Sequence, residues 1–130
     1  IVYNAFKDEE GTIEGNIGRH PNDRKKMTIT PNGKEAITHY KVLKNLGKYT
    51  LIECQLETGR THQIRVHMTS INHPLLGDEV YGPKNCPYNL QGQVLHAKTL
   101  GFIHPTTKEY VEFDSALPEY FQKLVDNLSN

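Results

Sequence analysis

Cysteine is scarce in this chain: there are two in 130 residues, Cys54 and Cys86, and neither has a second cysteine two to four positions away. That excludes a disulfide-stapled scaffold and a closely spaced zinc motif, and it fits thiols that stay reduced. Net charge is missing too, with 15 basic residues against 15 acidic ones. A polyanion would therefore feel no global pull, and any affinity for nucleic acid has to come from a local patch. No apolar run approaches the ~20 residues of a membrane span, and the first residues lack the basic-then-apolar order of a signal peptide. These absences lead us to expect a soluble, cytoplasmic protein with no membrane partner. Low-complexity tracts are absent as well. With 36% hydrophobic and 23% charged residues, the expectation is a single folded domain over residues 1–130.

What is present reads as mixed α and β with antiparallel strands dominating. Val2 to Phe6 is a short apolar strand. Turn residues between Asp8 and Asn32 surround strand candidates at Thr12 to Ile17 and Lys26 to Thr30. Ala36 to Leu43 and Tyr49 to Leu56 alternate with period two, and Asn45 to Lys48 offers the turn between them, so they predict an antiparallel pair. After Gly59 the period lengthens. Ile64, Met68 and Ile71 fall at i, i+4 and i+7, which predicts a short helix capped by Thr61 or a neighbour and ending near Asn72. Val94 to Ile103 and Glu109 to Phe113 bracket a longer hairpin turn. Pro118 opens an amphipathic helix carrying Phe121, Leu124, Val125 and Leu128.

Basic residues are clustered. Arg24, Lys25 and Lys26 form one run and Lys41, Lys44 and Lys48 another, readable either as solvated faces or as phosphate contacts. The stretch ETGRTHQIRVH, residues 57–67, packs Arg60, His62, Gln63, Arg65 and His67 around a strand-to-helix junction. Free N–H groups at a helix start attract anions, and an arginine fork beside them can hold a phosphate or carboxylate on two atoms. Arg65, about 100° around the helix from Ile64, sits at the edge of the apolar stripe, where a half-buried guanidinium wants a fixed anionic partner. Helical spacing also puts His67 and Arg60 on one face with Gln63 or Ile64, a polar wall. A capped helix with ordinary solvent-facing polar residues satisfies the same pattern. His62 and His67 are five apart, which rules out an i, i+4 zinc pair, and no metal site is read. His73, His96 and His104 suit structural hydrogen bonds. Neither Ser70 nor Ser115 has the glycine frame of a nucleophile elbow.

Several motifs together resemble one family. LETGRTHQIRVHM followed by HPLLGDEVYG, then VLHAKTLGFIHP and LPEYF, with GTIEGNIGRHPNDRKKMTI and EAITHYKVL upstream, resemble RNA pseudouridine synthases of the RluA/RluD type in order and spacing. The resemblance spans almost the whole chain. It implies an α+β catalytic domain with a mixed, mainly antiparallel sheet and a few helices, of which this chain is the C-terminal portion. It implies isomerisation of uridine to pseudouridine in structured RNA, ribosomal RNA ahead of transfer RNA, with no metal or organic cofactor. The target nucleotide would be flipped out of its stack at a cost of a few kcal/mol, offset by backbone contacts. By the same resemblance Arg65 matches the arginine that holds the catalytic aspartate, Tyr3 the tyrosine that packs on the target base, and Leu95 the apolar residue that supports the pocket. Arg60, His62 and Gln63 would line the rim near RNA, and Arg24, Lys25 and Lys26 would contact phosphates.

One element of the pattern is missing. The family carries its aspartate in an HRLD segment ahead of the tyrosine strand, and none of Asp8, Asp23, Asp78, Asp114 or Asp126 stands in such a context. The expectation is therefore a portion of a longer synthase, inactive alone, whose Arg65 clamps a carboxylate this chain does not contain. The longer protein would be a monomer, and the portion could dimerise through an unpaired strand edge. The alternative is a non-catalytic RNA-binding module that keeps the pocket wall without the chemistry.

Overall fold

The computed structural model describes residues 1–23, 25–84, 88, 90, 92–97, 99–103 and 106–129, except the side chains of 99–103 and 110–113. Among the described residues ten elements follow one another: β1 (Val2–Tyr3), β2 (Glu10–Glu14), β3 (Ile17–Arg19), β4 (Met27–Ile29), β5 (Ile37–Leu46), β6 (Tyr49–Leu56), α1 (Gln63–Ser70), β7 (Thr99–Ile103), β8 (Tyr110–Asp114) and α2 (Glu119–Leu128). Strands β1, β6, β5 and β2, in that order, form an antiparallel sheet, while β3–β4 and β7–β8 are separate two-stranded ribbons. The α+β class with mainly antiparallel pairing is as expected. Among the described residues no helix is long and apolar enough to cross a membrane.

The β5–β6 hairpin forms where the alternation predicts it, closed by Gly47 in the left-handed region at φ 79°. Between Val42 and Lys44 the register slips by one residue. Leu43 is the extra residue, half exposed, and it inverts the tip of the strand. Before it, Thr38 and Tyr40 face the same way as Ile52. Beyond it, Leu46 pairs with Tyr49 and faces the opposite side. The sheet thus feeds two cores. Val2, Ile13, Tyr40 and Ile52 pack against Ile64, Met68 and Ile71 of α1 on one face. Ile1, Leu46, Tyr49 and Leu51 pack with Phe121, Leu124 and Val125 of α2 on the other. Residues 1 to 3 show the alternation in miniature, Ile1 and Tyr3 going to the α2 side and Val2 to the α1 side.

Three strand expectations need correction. Val2 to Phe6 pairs only over Val2–Tyr3, because Asn4 turns the chain at φ 70° and its side-chain amide donates to the Asn72 carbonyl at 2.8 Å. Thr12 to Ile17 is two strands in two sheets, broken at Gly15 and Asn16. Helix α2 carries its predicted stripe, with Phe121, Leu124 and Val125 buried and Pro118 standing just ahead of its first residue. Strands β7 and β8 form the later hairpin, but the expected strand from Val94 starts only at Thr99, since Val94 instead bonds Leu76 and the first residue; His104 lies outside the described residues.

Candidate active site

Helix α1 ends as predicted. His73 N–H donates to the Met68 carbonyl and Asn72 N–H to Thr69, with Asn72 left-handed at φ 66°, and Pro74 follows. Its start is different. Thr61 caps nothing; His62 occupies the cap position in a left-handed conformation, φ 56°, with no side-chain cap bond. Gln63 does that work by folding back. Its Oε1 accepts from the Arg60 amide at 2.9 Å and the Thr58 hydroxyl at 2.7 Å, and its Nε2 donates to the Ile37 carbonyl at 3.0 Å and the Thr38 hydroxyl at 2.9 Å. This is the reaching-back half of a capping box without its serine.

Gln63 is therefore a strut and not part of an RNA-facing rim: it is 3% exposed and its amide has partners on both atoms. His67 is likewise no wall residue. It is fully buried, its Nε2 donating to the Gly15 carbonyl at 2.9 Å and its Nδ1 lying 2.8 Å from the Thr38 hydroxyl. The Gly15 carbonyl can only accept, so Nε2 carries the proton and Nδ1 accepts from Thr38. A buried polar chain, Gln63 to Thr38 to His67 to Gly15, ties α1 to β5 and to the end of β2.

Arg65 has a carboxylate partner within this chain. Its Nε donates to Asp78 Oδ2 at 2.8 Å and its Nη2 to Oδ1 at 3.1 Å, a two-point fork. The expectation that its anionic partner lies wholly outside these residues is corrected on that point. Asp78 is 1% exposed and also accepts from the amides of Val80 and Tyr81, at 3.1 and 3.2 Å. Burial pushes this carboxyl up, yet the Arg65 fork and the two amides outweigh it and hold it below the ordinary carboxylate value. The hydrogen bond to Asp78 raises Arg65 in turn, against the opposing effect of burial. The loop that delivers Asp78 depends on Gly77, left-handed at φ 83° with the Gly92 carbonyl against the place a Cβ would occupy.

The pairing uses one edge of the guanidinium. Both N–H groups of Nη1 and the second of Nη2 make no hydrogen bond among the described residues, and Arg65, its side chain 13% exposed, lines a cleft of about 210 Å³ with Asp78, Glu79, Val80, Leu90 and Gln93. Tyr81 lies beneath the guanidinium, 4.9 Å from Cζ to ring centroid. Its hydroxyl accepts from the Met27 amide at 2.8 Å and stands 2.8 Å from His62 Nδ1. Partial burial, helped by the Arg65 charge, holds the His62 imidazole below its ordinary value. Neither Asp78 nor Tyr81 was singled out by the sequence. The signal available was HPLLGDEVYG, in which a glycine-flanked aspartate follows the helix.

The other expected site residues are placed as follows. Tyr3 packs on Tyr49 at 5.3 Å and against the α2-side cluster containing Leu76 and Val94, and its carbonyl accepts from His73 Nδ1 at 2.8 Å. Leu95 is 40% exposed while its neighbour Val94 is buried, and neither Tyr3 nor Leu95 lines the Arg65 cleft. Leu90 lines the cleft and packs against the same cluster as Tyr3. Arg60 is anchored by its Nε to the Glu35 carbonyl at 2.8 Å. Lys25 is exposed and Lys26 half-buried, in a loop held by Asp23, and Arg24 lies outside the described residues. His73 and His96 make the structural bonds expected of them, to the Tyr3 carbonyl and the Ser115 hydroxyl.

The comparisons agree with this architecture. A family model described as RNA pseudouridylate synthase matches residues 1–70. The chain is 52% identical over 128 residues to the uncharacterized RNA pseudouridine synthase YlyB of Bacillus subtilis, covering 98% of this chain and 42% of that protein. It is 44% identical over 139 residues to ribosomal large subunit pseudouridine synthase D of Haemophilus influenzae, covering 98% and 43%. Human RNA pseudouridylate synthase domain containing 1 superposes with a TM-score of 0.75 at 27% identity, over 98% of this chain and 62% of that one. The chain thus spans about two-fifths of the length of these curated relatives. With the family model matching more than half of its residues, this chain belongs to the RNA pseudouridylate synthase family.

Proposed function

We propose that this chain supplies the arginine-bearing wall of a site that isomerises uridine to pseudouridine in structured RNA, in the cytoplasm and without a cofactor. Ribosomal RNA is the expected substrate, supported by the name of the Haemophilus influenzae relative. The observation that carries the reading is the half-used guanidinium of Arg65. Asp78 takes the Nε edge and fixes the plane of the fork, so that the Nη1–Nη2 edge is presented to the cleft already oriented. That edge fits a second carboxylate, the aspartate of an HRLD segment outside these 130 residues. A carboxylate so held stays ionised and aimed at the ribose C1′ or the base, and the uracil is detached and rejoined through carbon. Arg60, Lys25 and Lys26 contribute phosphate contacts.

The reading is tested in the complete protein bearing the HRLD segment. Arg65→Ala and Arg65→Lys both abolish pseudouridine formation while RNA binding persists, because an ammonium cannot serve two carboxylates from two edges. Arg60→Ala instead weakens binding in a salt-sensitive manner. Turnover surviving in Arg65→Lys refutes the role of the fork. The 130 residues alone form no pseudouridine, and turnover by this polypeptide at confirmed mass overturns that expectation.

A further inference from the structure

Tyr81 touches four parts of the structure at once. Its ring supports Arg65, its amide donates to Asp78, its hydroxyl accepts from Met27 N–H, and the same hydroxyl meets His62 Nδ1. A backbone amide can only donate, so the hydroxyl oxygen accepts from Met27, and its second bond, to His62 Nδ1, runs in the direction that the imidazole tautomer sets. Met27 opens β4 immediately after Lys25 and Lys26 and pairs with Arg19 across the β3–β4 ribbon. His62 stands three residues before Arg65, on the same side of the first helical turn, and its left-handed backbone needs an outside anchor. The hydroxyl joins the basic ribbon to the arginine.

We propose that Tyr81 is a positioning residue for Arg65, and that its hydroxyl, held between Met27 N–H and His62 Nδ1, sets the distance between the basic β3–β4 loop and the guanidinium edge that faces the cleft. The proposal rests on Arg65 acting as the catalytic arginine described above. The ring alone does not fix this geometry, because a cation over an aromatic face tolerates sliding, whereas two hydrogen bonds on one oxygen do not. Removing the oxygen leaves the Met27 amide without an acceptor and His62 Nδ1 without its partner, and loosens the turn on which Arg65 is mounted.

The test compares Tyr81→Phe, which keeps the ring, with Lys25→Ala/Lys26→Ala in the complete protein. Tyr81→Phe lowers kcat by roughly tenfold, the order expected when a reacting group is misplaced by a fraction of an ångström, and leaves KM for RNA unchanged. The double lysine variant raises KM and leaves kcat unchanged. In nitrogen-resolved NMR of the same protein, Tyr81→Phe mixes the His62 tautomers and broadens the Arg65 Nε–H resonance. An active wild type with an unaltered kcat in Tyr81→Phe overturns the proposal, as does a lower melting temperature with kcat per folded molecule unchanged. An inactive wild type instead refutes the reading of Arg65, and the NMR result then decides the positioning claim: sharp, unshifted Arg65 and His62 signals in Tyr81→Phe overturn it.

Discussion

The two faces of the four-stranded sheet treat polar residues in opposite ways. Against α1, polar groups are buried and each is tied down: Thr38, Gln63 and His67 in one chain, Arg65 and Asp78 in a fork. On the far face, beyond the reach of α2, alternation and register place Thr12, His39 and Gln55 beside Glu10, Lys41 and Glu53 in the open. There Thr12, His39 and Glu57 form an equally short relay, 2.8 Å at each step. The same bond lengths mean different things in the two places. Water competes for the exposed relay and screens its charges, while nothing replaces a lost partner in the buried one. Glu10 and Glu53 also flank Lys41 there, which leaves that row of the open face net acidic.

Substitutions that strand a group sharpen this contrast most. Arg65→Ala leaves the Asp78 carboxylate buried with only backbone donors, and a loss of about 3–5 kcal/mol is expected in denaturant titrations. The pair also has a pH signature. Because Asp78 is held below its ordinary value of 3.8, its contribution is complete above that pH and disappears as the pH falls through the lower, folded-state value. Wild type thus loses stability in acid below about pH 4, and Asp78→Asn, less stable at neutrality, loses less over the same range. His67→Leu, which keeps the volume but takes one hydrogen-bond partner from the Gly15 carbonyl and one from the Thr38 hydroxyl, is expected to cost about 1–3 kcal/mol. On the open face Glu57→Gln removes the charge from a contact to His39 whose partners are about half exposed, and a change under about 0.5 kcal/mol is expected. A Glu57→Gln effect as large as that of His67→Leu would erase the distinction between the faces.

How much of this was legible in the sequence depended on whether the signal was local. The β5–β6 hairpin, the stripe of α1 with its stop at Asn72 and the stripe of α2 follow from spacing alone. The bulge did not, because Val42 and Leu43 are both apolar and either could continue the alternation. Burial of Gln63 and His67 was invisible for a related reason: their partners, Thr38 in β5 and Gly15 just past β2, lie 25 and 52 positions away. The need of Arg65 for an anion was readable from its place on the helix. Its partner Asp78, 13 residues on, is chosen by a glycine-bearing loop and not by any period.

Leu43 has a consequence for how this hairpin can change over time. One extra residue inside β5 lets Tyr40 and Leu46, six positions apart, face opposite interiors while Val42 stays opposite Ile52 and Lys44 opposite Leu51. Losing Leu43 would leave those pairs in place with Leu46 still on the α2 side, and a paired lengthening of both arms at the Gly47 tip likewise leaves every inward position in phase. Length variation in relatives should accordingly come in single steps at the bulge and in even steps at the tip.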